Sequence, residues 1–372
     1  MRQLAILGGV GAIWLVVAAC DSDGDGGGTG GTQPTGSGGD AAPAGTCGND
    51  VTEPGEACDG TDLNGHSCAT LAAELTAGTL ACRADCSGYD IAPCEASGQT
   101  IEAASCEQED VQAAIDSASD GDTVSVPAGQ CTWQSAAGCD GRVECAPVAI
   151  VGKAILLRGA GQEQTVITTH VPEGWQYSSI YVASEADKPF RISGFGFLEV
   201  IAPAISVSGD NQSFRIDHLS VRPPEGESIV AVEVTGSAYG VIDHGLFETA
   251  EILVLPDEDD AWNRPLSLGT VNAVYVEDSA FVTAGAINDV IDGRSGARFV
   301  FRYNEVTNLE LHCHGIEGGG DRGTHSYELY SNTGICDGAT NCYRTAYLRG
   351  GTGVVFDNAW SGDWSMSGLH VV

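Results

Sequence analysis

The chain has 372 residues, with 51 acidic against 16 basic side chains and a formal net charge of −35. That balance excludes a nucleic-acid-binding surface of the usual kind, because phosphate neutralisation needs an excess of Lys and Arg. A hydrophobic fraction of 42% excludes global disorder, and 14 Cys point to an oxidising compartment.

Residues 1–19 place one positive charge, Arg2, before an apolar run from Leu4 to Ala19. The run is short for a membrane span and ends on small residues, the pattern of an export signal. Val17-Ala18-Ala19-Cys20 resembles the lipobox of bacterial lipoproteins, which implies cleavage before Cys20 and a lipid on that residue. The expected location is therefore outside the cytoplasm, lipid-anchored to a bacterial membrane at the cell surface. Residues 20–46 are Gly-rich and too polar to bury a core, so they read as a tether.

Residues 47–97 hold Cys47, Cys58, Cys68, Cys82, Cys86 and Cys94. So short a segment needs cross-links for stability, and spacing leaves their fifteen possible pairings open. The run from Cys47 through Glu53-Pro-Gly-Glu-Ala-Cys58-Asp-Gly resembles the cysteine-rich repeat of myxobacterial surface proteins. Beyond it, proximity favours Cys106 with Cys131, Cys139 with Cys145 and Cys336 with Cys342, leaving Cys313 as a free buried thiol or one with a partner elsewhere.

From residue 101 to 372 the pattern is that of a solenoid. Glu109–Ser119 has Val111, Ala114, Ile115 and Ala118 on one helical face. Short β-branched strands then end at Gly159, Gly194, His218, His244, Asp278, Asn304, Asn332 and Asn358, in steps of 35, 24, 26, 34, 26, 28 and 26 residues. Stacked in parallel, such strands align equivalent positions into columns. One column is expected to hold His218, His244, Asp278, Asn304, Asn332 and Asn358, and another Asp217, Asp243 and Glu277. The segments DVQAAIDSASDGDTVSVPAG, ILLRGAG, FRISGFGF, FRIDHLSV and GVIDHGLF resemble the right-handed parallel β-helix proteins of the pectate-lyase-like superfamily. The resemblance implies an all-β fold, with the first helix capping the stack, and a surface that binds or cleaves polysaccharide by uronate elimination or glycoside hydrolysis. The alternative is a non-catalytic adhesion or display module.

No single catalytic motif of that superfamily is intact, so candidate residues come from local clusters. His312 to His325 is a Gly-rich stretch bearing Glu317, Asp321, Arg322 and His325. In Asn288–Arg294, strand alternation puts Asp292 and Arg294 on one side. A groove shared by Arg294 or Arg322 with Asp292, Glu317, Asp321 and His325 would suit an anionic sugar. Residues 294–349 carry six Arg and six acids, an electrically neutral stretch on an acidic chain. Stacked carboxylates at Asp217, Asp243 and Glu277 would repel unless bridged, which makes calcium the candidate cofactor. The acidic loop Asp257–Asp260 and the aromatic residues Trp262, Trp360 and Trp364 are weaker candidates for calcium and sugar contact. No capping helix is evident after Val354–Asn358, and the expectation is a chain that continues further or an end covered by a partner.

Overall fold

The computed structural model describes residues 16–18, 47–52, 56–68, 77–83, 86–91, 93–95, 98–136, 139, 142–170, 177–186, 188–209, 213–256, 265–266, 268–283, 289–315, 323–338 and 342–371. Residues 1–46, expected to form an export signal and tether, fall outside these residues apart from Val16–Ala18, as do Asp257–Asp260, Trp262, Glu317, Asp321 and Arg322; Cys20 lies in that undescribed stretch. The chain divides into two compact units, residues 19–97 and residues 98–372 joined by 1–18.

The smaller unit is held by Cys47–Cys86, Cys58–Cys82 and Cys68–Cys94. Its apolar core contains Cys68, Leu80 and Cys94, with Leu63, Tyr89 and Ile91 packed against them. The buried Asp59 carboxylate replaces missing backbone pairing by accepting from the amides of Gly48 and Asp50, each at 2.7 Å.

The larger unit is a right-handed parallel β-helix built from three parallel sheets. The first sheet runs from Thr100–Glu102 to Thr352–Phe356, with Val16–Ala18 added antiparallel at that last strand. The second runs from Gly129–Gln134 to Ala359–Gly362, and the third from Val148–Val151 to Met366–Val371. The chain therefore adds a further strand to each of the second and third sheets after Asn358, where the repeat pattern had faded. Inward positions are aliphatic and aromatic, and identical rings stack between coils, as in Phe190–Phe214 at 5.7 Å and Phe247–Phe281 at 4.8 Å. The helix Gln108–Ser117 buries Val111, Ala114 and Ile115 over the first coil, and Lys153 Nζ donates to the carbonyls of Ile115, Asp116 and Ala118 at its C-terminal end. Disulfides join Cys106–Cys131, Cys139–Cys145 and Cys336–Cys342, while Cys313 is fully buried and unbridged.

The corner after the first sheet corrects one expected column. Glu277 pairs with Arg302, not with Tyr303. The residues that follow Asp217, Asp243 and Glu277 in register are thus His218, His244, Asp278, Tyr303, Ser331 and Asp357, all left-handed with φ between 49° and 58°. Asn304, Asn332 and Asn358 belong to the next column, with Ser279 and Gly245. There each side chain turns back to serve the neighbouring coil. Asn332 Oδ1 accepts from the Asn304 amide at 3.0 Å, and Asn358 Oδ1 from the Asn332 amide at 3.1 Å. Asn304 Oδ1 accepts from the Ser279 amide at 3.0 Å. A non-glycine residue in the left-handed region costs about 1–2 kcal/mol. Here the asparagine ladder beside it satisfies backbone groups that the corner would leave orphaned.

Candidate functional site

Two outward faces of the β-helix concentrate charge. On the first sheet, alternation along each strand points Arg215 and Asp217 outward around inward Ile216. Asp217, Asp243 and Glu277 stack in register, as expected. Three arginines neutralise them. Arg191 Nε donates to Asp217 at 3.0 Å, Arg215 clamps Asp243 at 3.0 and 2.7 Å while lying 3.5 Å from Asp217, and Arg302 Nε donates to Glu277 at 2.6 Å. The repulsion that suggested calcium is thus relieved by guanidinium groups, and the column reads as a structural ladder. Burial works against the charge of Asp243, but donation from His244 and Arg215 holds its carboxyl below the usual range.

The third sheet carries a different cluster over four neighbouring strands, Ala250–Leu255, Asp289–Gly293, Glu310–Cys313 and Arg344–Leu348. A register shift between Asp289 and Ile291 shapes it. Val290 and Ile291 both turn into the core, at 0% exposure. Asp289 and Asp292 can then both serve the outer face, although strict alternation would put them on opposite sides. In register, Asp289 lies beside Glu310 and Asp292 beside His312, which in turn lies beside Tyr347.

These side chains form a bonded network. Arg294 Nε donates to Asp292 Oδ2 at 2.7 Å, and His314 Nδ1 donates to Asp292 Oδ1. His312 Nδ1 donates to Asp289 Oδ2 at 2.7 Å. The two imidazoles lie 4.4 Å apart, and His312 stacks on Tyr347 at 5.4 Å. Arg344 covers the Tyr347 ring at 3.6 Å and grips Glu310 through two bonds of 2.9 Å. The network is electrically divided. For Asp292, burial is outweighed by donation from His314 and the charges of His314 and Arg294, so its carboxyl stays below the usual range. Glu251, half-buried on the adjoining strand, has no such donor among the described residues; burial and the charges of Asp292 and Asp289 push it up to about 8. Neutral Glu251 beside ionised Asp292 is the kind of divergence that separates an acid from a base. Cys313 points the other way into the core, and burial drives its thiol well above the ordinary range, so it is not an activated nucleophile.

Of the residues expected to share a groove with Arg294, Asp292 does so directly. His325 immediately precedes Ser326–Tyr330 of the first sheet and is buried. Glu317, Asp321 and Arg322 lie outside the described residues. Reading clusters along the chain missed Glu251, Asp289, Glu310, His312, His314, Arg344 and Tyr347 as one site. The available signal was His312-x-His314 on a strand of the same sheet as Asp292-x-Arg294, which needed the register of the third sheet to interpret. Trp360, considered for sugar stacking, packs against the core and meets Trp364 edge-on at 5.6 Å.

A scan against protein-family models and a search of curated proteins find no match. Among solved structures, an alginate lyase from Paenibacillus sp. str. FPU-7 is 16% identical, with 73% of this chain and 99% of that one covered at a TM-score of 0.38. A mutant of the PL6-family alginate lyase AlyGC is 17% identical, with 73% of this chain and 40% of that one covered at a TM-score of 0.36.

Proposed function

We propose that the protein binds and cleaves an acidic polysaccharide on the outer face of its third sheet. The observation that carries this reading is the Arg294–Asp292–His314 arrangement, in which one buried carboxylate orients an arginine and an imidazole side by side. Elimination next to a uronate carboxylate needs a cation to stabilise developing negative charge and a group to move a proton. Arg294, whose side chain is 39% exposed, meets the first need. His314, fixed by Asp292, meets the second, and Glu251 stands beside them as a protonated acid for the leaving oxygen. The sequence adds the setting: export through residues 1–19, lipid attachment at Cys20, and a tether and cysteine-rich module that carry the β-helix at the cell surface.

The test is an ultraviolet assay for unsaturated products on polygalacturonate and alginate, with mass spectrometry of products from a panel of neutral and acidic glycans. Wild type is expected to release product, and Arg294→Ala and His314→Ala to lose at least about 100-fold of the rate, the usual scale for a removed general acid or base. Absence of product across the panel overturns cleavage. Retention on a polyuronate column without product would favour the display module instead.

A further inference from the structure

We propose that Asp292, His312 and His314 form a binding site for a late first-row divalent metal ion of the zinc class. One donor atom from each of the three residues lies within 4.8 Å of the others. Ligands around a tetrahedral ion at ~2.1 Å sit about 3.4 Å apart, so side-chain shifts of about an ångström close the site. His312 supplies the independent observation. It is only 8% exposed, its Nδ1 is held by Asp289, and its Nε2 is buried with no hydrogen-bond partner among the described residues. A buried imidazole nitrogen without a partner carries a desolvation penalty that a metal bond would remove. The Asp289–His312 bond is also the pattern by which an outer carboxylate fixes the tautomer and orientation of a metal-binding histidine, leaving the far nitrogen for the ion.

The donor set chooses the metal. Two imidazoles and one carboxylate favour Zn²⁺ or its neighbours, whereas calcium takes six or more oxygens. Three protein donors leave a fourth position to water or to a sugar oxygen, as at reactive zinc centres. The surrounding charge is compatible. Arg294 pairs with Asp292 and Arg344 with Glu310, while Asp289, bonded to His312, and Glu251, when ionised, add negative charge. Among the described residues, the second three-residue group with metal-like spacing, Cys47, Asp59 and Cys86, is different, because its two sulfurs are joined to each other.

The inference does not rest on the proposed function: a His314 nitrogen that holds a metal moves no proton, so bound metal would replace His314 in that role, and metal binding is read without glycan. The full chain is stripped with chelator, dialysed against Zn²⁺, Co²⁺ or Ca²⁺ and measured by elemental analysis, with Co²⁺ absorption as a coordination probe. The expected result is about one Zn²⁺ or Co²⁺ per chain, with visible bands of low-coordinate Co²⁺. His314→Gln should weaken affinity at least 100-fold, and Asp289→Asn by about 10–100-fold, as loss of an outer-shell carboxylate does. Circular dichroism on both variants confirms folding. Failure to retain Zn²⁺ or Co²⁺, retention of Ca²⁺ alone, or equal binding by folded His314→Gln would overturn the site. If metal binds but no glycan is cleaved, only the function falls; if cleavage persists in the stripped protein and no metal binds, only the metal site falls.

Discussion

The β-helix carries two stacks of carboxylates on two outer faces, and they are finished differently. In the first-sheet ladder, Asp217, Asp243 and Glu277 are each gripped by an arginine from an adjacent coil, and the two exposed imidazoles at its corner, His218 and His244, stack on each other at 5.0 Å. No carboxylate or guanidinium nitrogen of that ladder is among the buried side-chain atoms lacking a partner. In the third-sheet cluster, Asp289 Oδ1 and His312 Nε2 are buried and find no partner among the described residues, and Glu251 feels only the more distant charge of Arg294. A closed network adds rigidity, while an open one keeps bonding capacity for something that arrives later. Charge density by itself does not mark a site, since the denser first-sheet ladder is fully paired.

The sharpest way to break this contrast is to remove one arginine from each face. Arg215→Met should cost about 3–5 kcal/mol, because it leaves the buried Asp243 carboxylate without its guanidinium partner, whereas Arg294→Met should cost about 1 kcal/mol, because that guanidinium is the more exposed and His314 still donates to Asp292. Denaturant unfolding of both variants checks this, and equal losses would erase the distinction. Next in size, Asn332→Ala should cost about 2–3 kcal/mol through unsatisfied groups in the corner ladder, read in the same unfolding experiment.

A third prediction concerns pH. Glu251 is raised in the folded state from an ordinary 4.5 to about 8, so the folded chain holds a proton that the unfolded chain has lost. Its contribution to stability therefore falls as pH rises through that interval. Glu251→Gln should flatten the slope of melting temperature between about pH 5 and 8, and an unchanged slope would contradict the placement of that carboxyl. The smallest effect is expected at His244. Donation to Asp243, against some burial, raises its folded pKa, so its stabilisation is full below the ordinary histidine range and fades as pH rises through the folded value. His244→Gln should remove that fade with a change of under about 1 kcal/mol, because half of the side chain is exposed.

Much of the fold was legible because a parallel β-helix is written as a repeat. Near-regular strand spacing, a helix pattern at the start and β-branched inward positions follow from local chemistry. The carboxylate column was readable for the same reason, since Asp217, Asp243 and Glu277 precede equivalent corners. The frame slipped where FRYN304 was aligned by its Asn, because the identity of a corner residue matters less than its left-handed backbone: Tyr303 and Ser331 take that position as His218 does. The candidate site was only half legible. Asp292 and Arg294 share a side by alternation, so two residues sufficed.

The parallel coils, the capping helix and the small cross-linked module follow from local sequence, because hydrophobic period and clustered cysteines act over short stretches of chain. Only the tertiary structure decided which arginine neutralises which acid, and that His312 and His314 meet Asp289 and Asp292 from more than twenty residues away. That meeting depends on the register of the third sheet and on the shift at Val290, and a shift of one residue in strand pairing reverses which side chains face outward.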